Sequence, residues 1–355
     1  MLDLTKGSFD KALLMKARIH ARDGTWASAR DALKRYSSRV NGDATAGDLL
    51  FEVSEGEVAA KRAVQSHMAG LYQACVDATT DALKVATHSV DLRELRAGCA
   101  LDTGDVQQAV GDLIRLTHLS TPSTPLLLRI AQLSYYLLPA STQAQSTLKQ
   151  CLHFDPDSKP CASLHRKLKS YDKSFKKLST MRESKDWRGI VSLLVGTTNK
   201  ESLLGTGFAQ QFETSFLEAT GQLHLPESVV PSKKSERRRD IFNIICQAYV
   251  KLDQPRKAEW WCEELLRFEG NEEDVDGLVG RGEAALAKEQ WEEAVRTLEK
   301  AFEVSGRSSQ EVHNSPITLA EFIRDLTEIF RRLCNGSRKH NDCSNNRAQR
   351  TTIRC

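Results

Sequence analysis

A unit that recurs along almost the whole chain limits its folds more than any other feature. Each copy reads, roughly, as a turn residue, an aromatic two places on, a small residue three further, a leucine or similar, and then another small or apolar residue. GTWASARDALKRY (24–36), GLYQACVDATTDALKVA (70–86), GDVQQAVGDLIRL (104–116) and EQWEEAVRTLEKAF (289–302) are copies. Repetition of this kind decides architecture before local propensity does. No single unit can bury its apolar stripe alone, so the units must stack into a quasi-one-dimensional helical solenoid with a concave face.

The small residue opening the second helix of each unit serves as a ruler. It falls at Ala29, Cys75, Ala109, Ala144, Ile190, Ala258 and Ala294, with successive gaps of 46, 34, 35, 46, 68 and 36 residues. A tetratricopeptide repeat spans about 34 residues in two antiparallel helices. The spacing therefore predicts an all-α, tetratricopeptide-repeat superhelical solenoid of about seven helix-turn-helix units over residues 1–311. The gaps of 46 allow one extended helix or loop each, and the gap of 68 reads as an insertion over about 198–238. Twelve residues before the ruler, Ala17, Ala63 and Gly282 mark places where the two helices of a unit nearly touch. Trp26, Tyr72, Trp187 and Trp291 fill a bulky slot, and Ala82 and Ala301 meet the next unit.

The ends read differently. LDLTKG (2–7) is expected to be the last turn of a helix whose own unit is missing. Residues 312–334 contain an amphipathic stretch, ITLAEFIRDLTEIFRRL, expected as a capping helix or a partner-binding one. Residues 335–355 have no aromatic side chain and are expected to be disordered.

Composition excludes several classes. With Lys+Arg 50 against Asp+Glu 47, the net charge of +3 provides no global field for nucleic acid. The dense basic run, KKSERRR (233–239), reads as an import or anion patch, or else as a solvated linker. No stretch is long and apolar enough to span a membrane, and the N-terminus lacks the apolar centre of a signal peptide. The nine histidines are scattered. Neither a metal-ligand pair nor a phosphate-binding or nucleophile motif is present, so no catalytic, metal or cofactor residue is expected.

The nine cysteines include two suggestive pairs. Cys151 and Cys161 bracket an inter-unit turn in CLHFDPDSKPC, and Cys246 and Cys262 fall on the two helices of one unit. Each pair could be bridged, which would require an oxidising compartment, or its members could serve as small apolar packers.

These residues resemble a known family. CLHFDPDSKPC, the LHRKLKSYDKSFKKL helix (164–178) and the final pair of units (239–306) are similar to the tetratricopeptide region of an ER-luminal J-domain co-chaperone family, DnaJ homologue subfamily C member 3. The resemblance covers about residues 4–311 and implies that the units here match the family's third to ninth repeats. It also implies that Cys151–Cys161 and Cys246–Cys262 are disulfides in the ER lumen. As written, without a signal peptide, the chain would be cytoplasmic. The family's function implies binding of unfolded or misfolded client polypeptides along the repeat surface during ER protein folding. Partnership with a BiP-type chaperone would require a J domain in the full-length product, because this sequence has no His-Pro-Asp tripeptide. The tail from about Val312 matches nothing in the family and resembles read-through.

The alternative is a generic cytosolic scaffold that binds a partner peptide or helix in its groove. Repeats that clamp the acidic C-termini of large heat-shock chaperones need Lys, Asn and Arg at set places. Here those places hold Leu14, Arg18, Lys61, Asp91 and Leu95, so that clamp is not expected in the first three units.

Overall fold

The computed structural model describes residues 10–139, 143–196, 205–229 and 231–311. All regular structure among them is helical, and the helices follow the ruler in pairs. The first three pairs are α1 (Asp10–Asp23) with α2 (Trp26–Ser37), α3 (Ala44–Met68) with α4 (Tyr72–Val85), and α5 (Val90–Asp102) with α6 (Val106–Leu119). Next come α7 (Thr124–Tyr136) with α8 (Gln143–Phe154) and α9 (Lys159–Glu183) with α10 (Trp187–Leu194). After α11 (Phe208–Gln222) and the short α12 (Pro231–Lys234) come α13 (Glu236–Lys251) with α14 (Pro255–Leu265). The last pair is α15 (Val275–Ala287) with α16 (Trp291–Glu311). The expected opening turn at 2–7, capping helix at 312–334 and tail at 335–355 lie outside the described residues.

One local device makes six of the tight turns. Gly24, Gly70, Gly104, Lys185, Asp253 and Glu289 each stand five places before a ruler residue, and all have positive φ, from 55° to 83°. The next residue's N–H then reaches the carbonyl five places back, as in Thr25 to His20 (2.9 Å) and Gln290 to Ala285 (3.0 Å). This arrangement satisfies carbonyls orphaned at the end of the first helix and reverses the chain in two residues. The second helix starts immediately afterwards, which puts the bulky Trp26, Tyr72, Trp187 or Trp291 in its first turn.

The small residues carry the close approach. All seven ruler residues are buried to 0–1% exposure, and Ala17, Ala63, Ala82 and Ala301 are fully buried. A Cβ built on Gly282 would stand 2.6 Å from Leu298 Cγ, so only glycine lets α15 and α16 meet there. The bulky slot is less uniform, because Trp26, Tyr72 and Trp187 are half-buried while Trp291 is exposed.

Both gaps of 46 are explained by a long first helix. α3 and α9 are each 25 residues, against 13 to 16 for α1, α5, α7, α13 and α15. The stretch expected as an insertion holds α11, α12 and the start of α13. α11 buries Phe208, Ala209, Phe212, Phe216 and Ala219. Its signal is an aromatic at every fourth residue rather than the small-residue ruler.

The chain divides into two compact units, Met1–Asp172 with Ser215–Glu236 and Lys173–Thr214 with Arg237–Cys355. In the first, Leu13, Ala17, Ala29, Leu33, Tyr36 and Val53 pack into one cluster with Trp26 against it. Further along, Tyr136 packs edge-on to Tyr135 and to Phe216. In the second, Phe242 is surrounded by Trp260, Trp261 and Phe268, and Phe175 meets Phe208 and Phe212 edge-on. Burying each such ring stabilises the fold by roughly 1.5–3 kcal/mol.

The structure corrects the anion-patch and linker readings of the basic run over most of its length. From Lys234 on it is neither an open anion patch nor a solvated linker, although Lys233 is exposed. Lys234 donates to the Gly104 carbonyl (3.1 Å), and Ser235 is fully buried. Arg238 grips Glu213 through its Nε (2.8 Å) and lies over the Phe242 ring, while Arg237 covers Phe175. Lys234, Arg237 and Arg238 are taken up by packing and pairing, so only part of the run's charge faces solvent.

Candidate functional site

Two sets of side chains stand out: apolar residues turned to solvent in the first unit, and three cysteine pairs. On α1, Leu13, Ala17 and Ala21 face the core, which leaves Met15 and Ile19 one turn apart on the opposite side, each 58% exposed. On α3, Val53, Gly56, Ala60 and Ala63 face inward, and Phe51 (66% exposed) and Val58 face out. α3 packs on α2 and also touches α1, so these residues belong to neighbouring first helices. Leu50, Met68 and Leu71 extend the exposed apolar set along α3 and into its turn. Scattered exposed apolar residues are ordinary, whereas contiguous apolar patches mark interaction sites, which makes this run on two adjacent helices the candidate surface.

Of the heat-shock clamp positions, Lys61 is held by Glu57 (2.9 Å), which also pairs with Arg30 (2.6 Å). The lysine pair and Arg30 together hold the Glu57 carboxyl below its usual range. At the α5–α6 pair, buried Asp112 accepts from Arg96 through two nitrogens (2.7 Å each) and from Arg93 (3.3 Å). Burial pulls the Arg93 guanidinium below its ordinary value, although Asp112 opposes that shift. Arg93 and Arg96 are thus committed inside the fold, while Lys61 and Arg30 are paired at its surface.

In the second unit, a groove of about 1080 Å³ runs along α14, α15 and α16, lined by Arg267, Arg281, Glu289, Trp291, Glu293 and Lys300 among others. Arg281 and Glu293 pair within it (2.7 Å). Acids and bases line it in similar number, so it favours neither sign of ligand.

The structure brings both expected cysteine pairs together. Cys151 on α8 and Cys161 on α9 have their sulfurs at bonding distance with Cα atoms 6.3 Å apart. Cys246 on α13 and Cys262 on α14 are likewise paired, with Cα atoms 5.1 Å apart. Gly280 of α15 lies against this second pair, where a Cβ would run into Cys262 Sγ. A third pair, Cys75 with Cys99 (Cα atoms 6.2 Å apart), is absent from the sequence reading, which used Cys75 only as a small ruler residue. The signal that could have found it is a second buried cysteine, Cys99, on the helix that follows.

His67 joins Cys75 and Cys99 in a group whose ligand-type atoms lie within 4.8 Å of one another. With the two sulfurs bonded to each other, neither is a thiolate, so the group in this state is not a metal-ligand set.

The paired helices, left-handed turns and small-residue contacts define an all-α tetratricopeptide-repeat protein. No family model matches the chain. The fold is similar to the crystal structure of the P58(IPK) TPR domain, with a TM-score of 0.64 and 22% identity, covering 96% of this chain and 82% of that one. Among curated relatives, the tetratricopeptide repeat and J domain-containing co-chaperone DNJ1 of Cryptococcus neoformans var. grubii is 38% identical over 306 residues, 84% of this chain and 56% of that protein. DNJ1 of Fusarium oxysporum f. sp. lycopersici is 30% identical over 308 residues, 87% of this chain and 56% of that protein. DnaJ homolog subfamily C member 3 of Rattus norvegicus is 25% identical over 310 residues, 86% of this chain and 55% of that protein. The chain is thus homologous to these co-chaperones over most of its own length, and it spans about half the length of the curated relatives it matches.

Proposed function

We propose that this is a co-chaperone-type repeat protein that holds unfolded or misfolded polypeptides by reversible apolar contact, without nucleotide, in the oxidising lumen of the endoplasmic reticulum. The observation that carries this reading is the exposed run of Met15, Ile19, Phe51 and Val58 on α1 and α3. An unfolded chain offers apolar side chains in no fixed order, and adaptable methionine and aromatic surface suits such a partner. Co-chaperone relatives and three cysteine pairs at bonding distance support the same reading, because disulfides persist in oxidising compartments. Passing a client to a BiP-type chaperone would require a J domain in the full-length product. No described helix is long and apolar enough to cross a membrane.

The test is suppression of light scattering from a chemically denatured reporter protein by the full chain. The double variant Ile19→Asp, Phe51→Asp should lose most of the suppression while keeping its helical circular dichroism. Equal suppression by wild type and variant would sink the client surface. The compartment is tested separately by mapping disulfides in protein isolated from its native host. Free thiols at Cys151, Cys161, Cys246 and Cys262 would favour a cytosolic scaffold. The α14–α16 groove with its exposed Trp291 gives that second reading its own binding place.

A further inference from the structure

Cys75 and Cys99 occupy different repeats. Cys75 is on α4, the second helix of its unit, and Cys99 is on α5, the first helix of the next. Both are fully buried, with their sulfurs at bonding distance across 24 residues of sequence. His67, near the end of α3, is exposed and brings its Nδ1 to 3.5 Å from Cys99 Sγ. Neither of the other two pairs has a described histidine beside a sulfur; the contact described there is Cys246 Sγ lying 3.5 Å from the Asp276 carbonyl oxygen. The α3–α4 turn beside His67 is exposed throughout, with Met68 at 81% and Gly70 in the left-handed conformation.

We propose that Cys75, Cys99 and His67 form a thiol–disulfide exchange site that reversibly staples two consecutive repeats, with a low-molecular-weight thiol such as glutathione as its exchange partner. When the exposed α3–α4 turn opens locally and uncovers the buried pair, an external thiolate attacks Cys75 Sγ. The Cys75–Cys99 bond breaks, and Cys99 leaves as a thiolate that accepts a hydrogen bond from the His67 ring. A donor beside a sulfur favours its thiolate form, and a better leaving thiolate departs faster. A second external thiol then resolves the mixed disulfide at Cys75. The balance is one oxidised small disulfide released and two protein thiols formed, with two electrons supplied by the two external thiols. Closure runs the same steps backwards, with an oxidised small disulfide as the electron acceptor. His67 is a positioning residue in this exchange: it sets which sulfur leaves.

This inference stands apart from client binding, since it concerns only the redox state of one helix pair. The experiment exposes folded, air-oxidised full chain to reduced glutathione, quenches with an alkylating agent at intervals, and scores each pair by peptide mass. Cys75 and Cys99 should start linked, and their pair should open several-fold more slowly in His67→Ala than in wild type. His67→Gln, which keeps an N–H donor, should recover part of the rate. Cys151–Cys161 and Cys246–Cys262 should open at unchanged rates in both variants, which separates the effect from general unfolding. Free Cys75 and Cys99 thiols at the start would overturn the proposal. So would an unchanged or faster opening in His67→Ala.

Discussion

Asp274 illustrates how one side chain here serves two opposed demands. It caps α15, its Oδ1 accepting from the Gly277 N–H at 2.8 Å, yet it is half-buried beside Asp276. Burial pushes its carboxyl above the usual range, and Asp276 adds to the effect, while the Gly277 N–H opposes it. A raised folded pKa favours the neutral acid, so the stability from this group is fully present below the unfolded value of about 3.9 and lost as pH rises through the folded one. Asparagine caps a helix as well as aspartate and has no charge to bury. Asp274→Asn should therefore unfold at higher urea than wild type at neutral pH. The advantage should vanish as pH falls below the ordinary aspartate range, and urea midpoints across a pH series would check it. Gly280 makes a steric version of the same point. Adding a methyl group there pushes into Cys262 Sγ, so Gly280→Ala should cost about 1–3 kcal/mol in the same assay.

At the scale of the element, the repeat is a turn before it is a pair of helices. The left-handed position is glycine in the first three units but Lys185, Asp253 and Glu289 in three later ones. Side chains other than glycine pay roughly 1–2 kcal/mol for that conformation. Lys185→Gly and Glu289→Gly should each raise stability by about 1 kcal/mol, read from denaturant midpoints, with no change in helical content. Loss of stability in either variant would mean that the side chain holds a contact worth more than the strain. The same turn explains how legible the fold was. Its five-residue offset from the ruler is local, so it appears in the sequence wherever the ruler does. α11 has no such turn and no small ruler residue. Its reason for being a helix is the aromatic face that Phe208, Phe212 and Phe216 bury, and a sequence reading keyed to the repeat sees only an insertion.

At the scale of the molecule, the three cysteine pairs among the described residues close sequence spans of 24, 10 and 16 residues. On the chain-entropy model each closure restricts the unfolded chain by roughly 3 kcal/mol. Complete reduction should therefore lower the thermal unfolding temperature well beyond the effect of any single cysteine-to-serine pair. Calorimetry of oxidised and reduced protein would measure it, and coincident transitions would show that the pairs do not constrain the chain. Two of these pairs, Cys75–Cys99 and Cys151–Cys161, join the second helix of one repeat to the first of the next. Cys246–Cys262 lies within a repeat.

What the sequence determined by itself is everything that repeats: helix pairs, their turns, the small residues at their crossings and the bulky aromatic that opens four of the second helices. These follow from backbone sterics and near-neighbour packing, which act over one period and are therefore written again in each copy. What only the tertiary structure decided occurs once. It includes the partner of Cys75, the spending of the basic run on Glu213 and aromatic faces, and the solvent-facing position of Met15, Ile19, Phe51 and Val58. Each depends on residues brought together from distant parts of the chain, and no local period records which ones will meet.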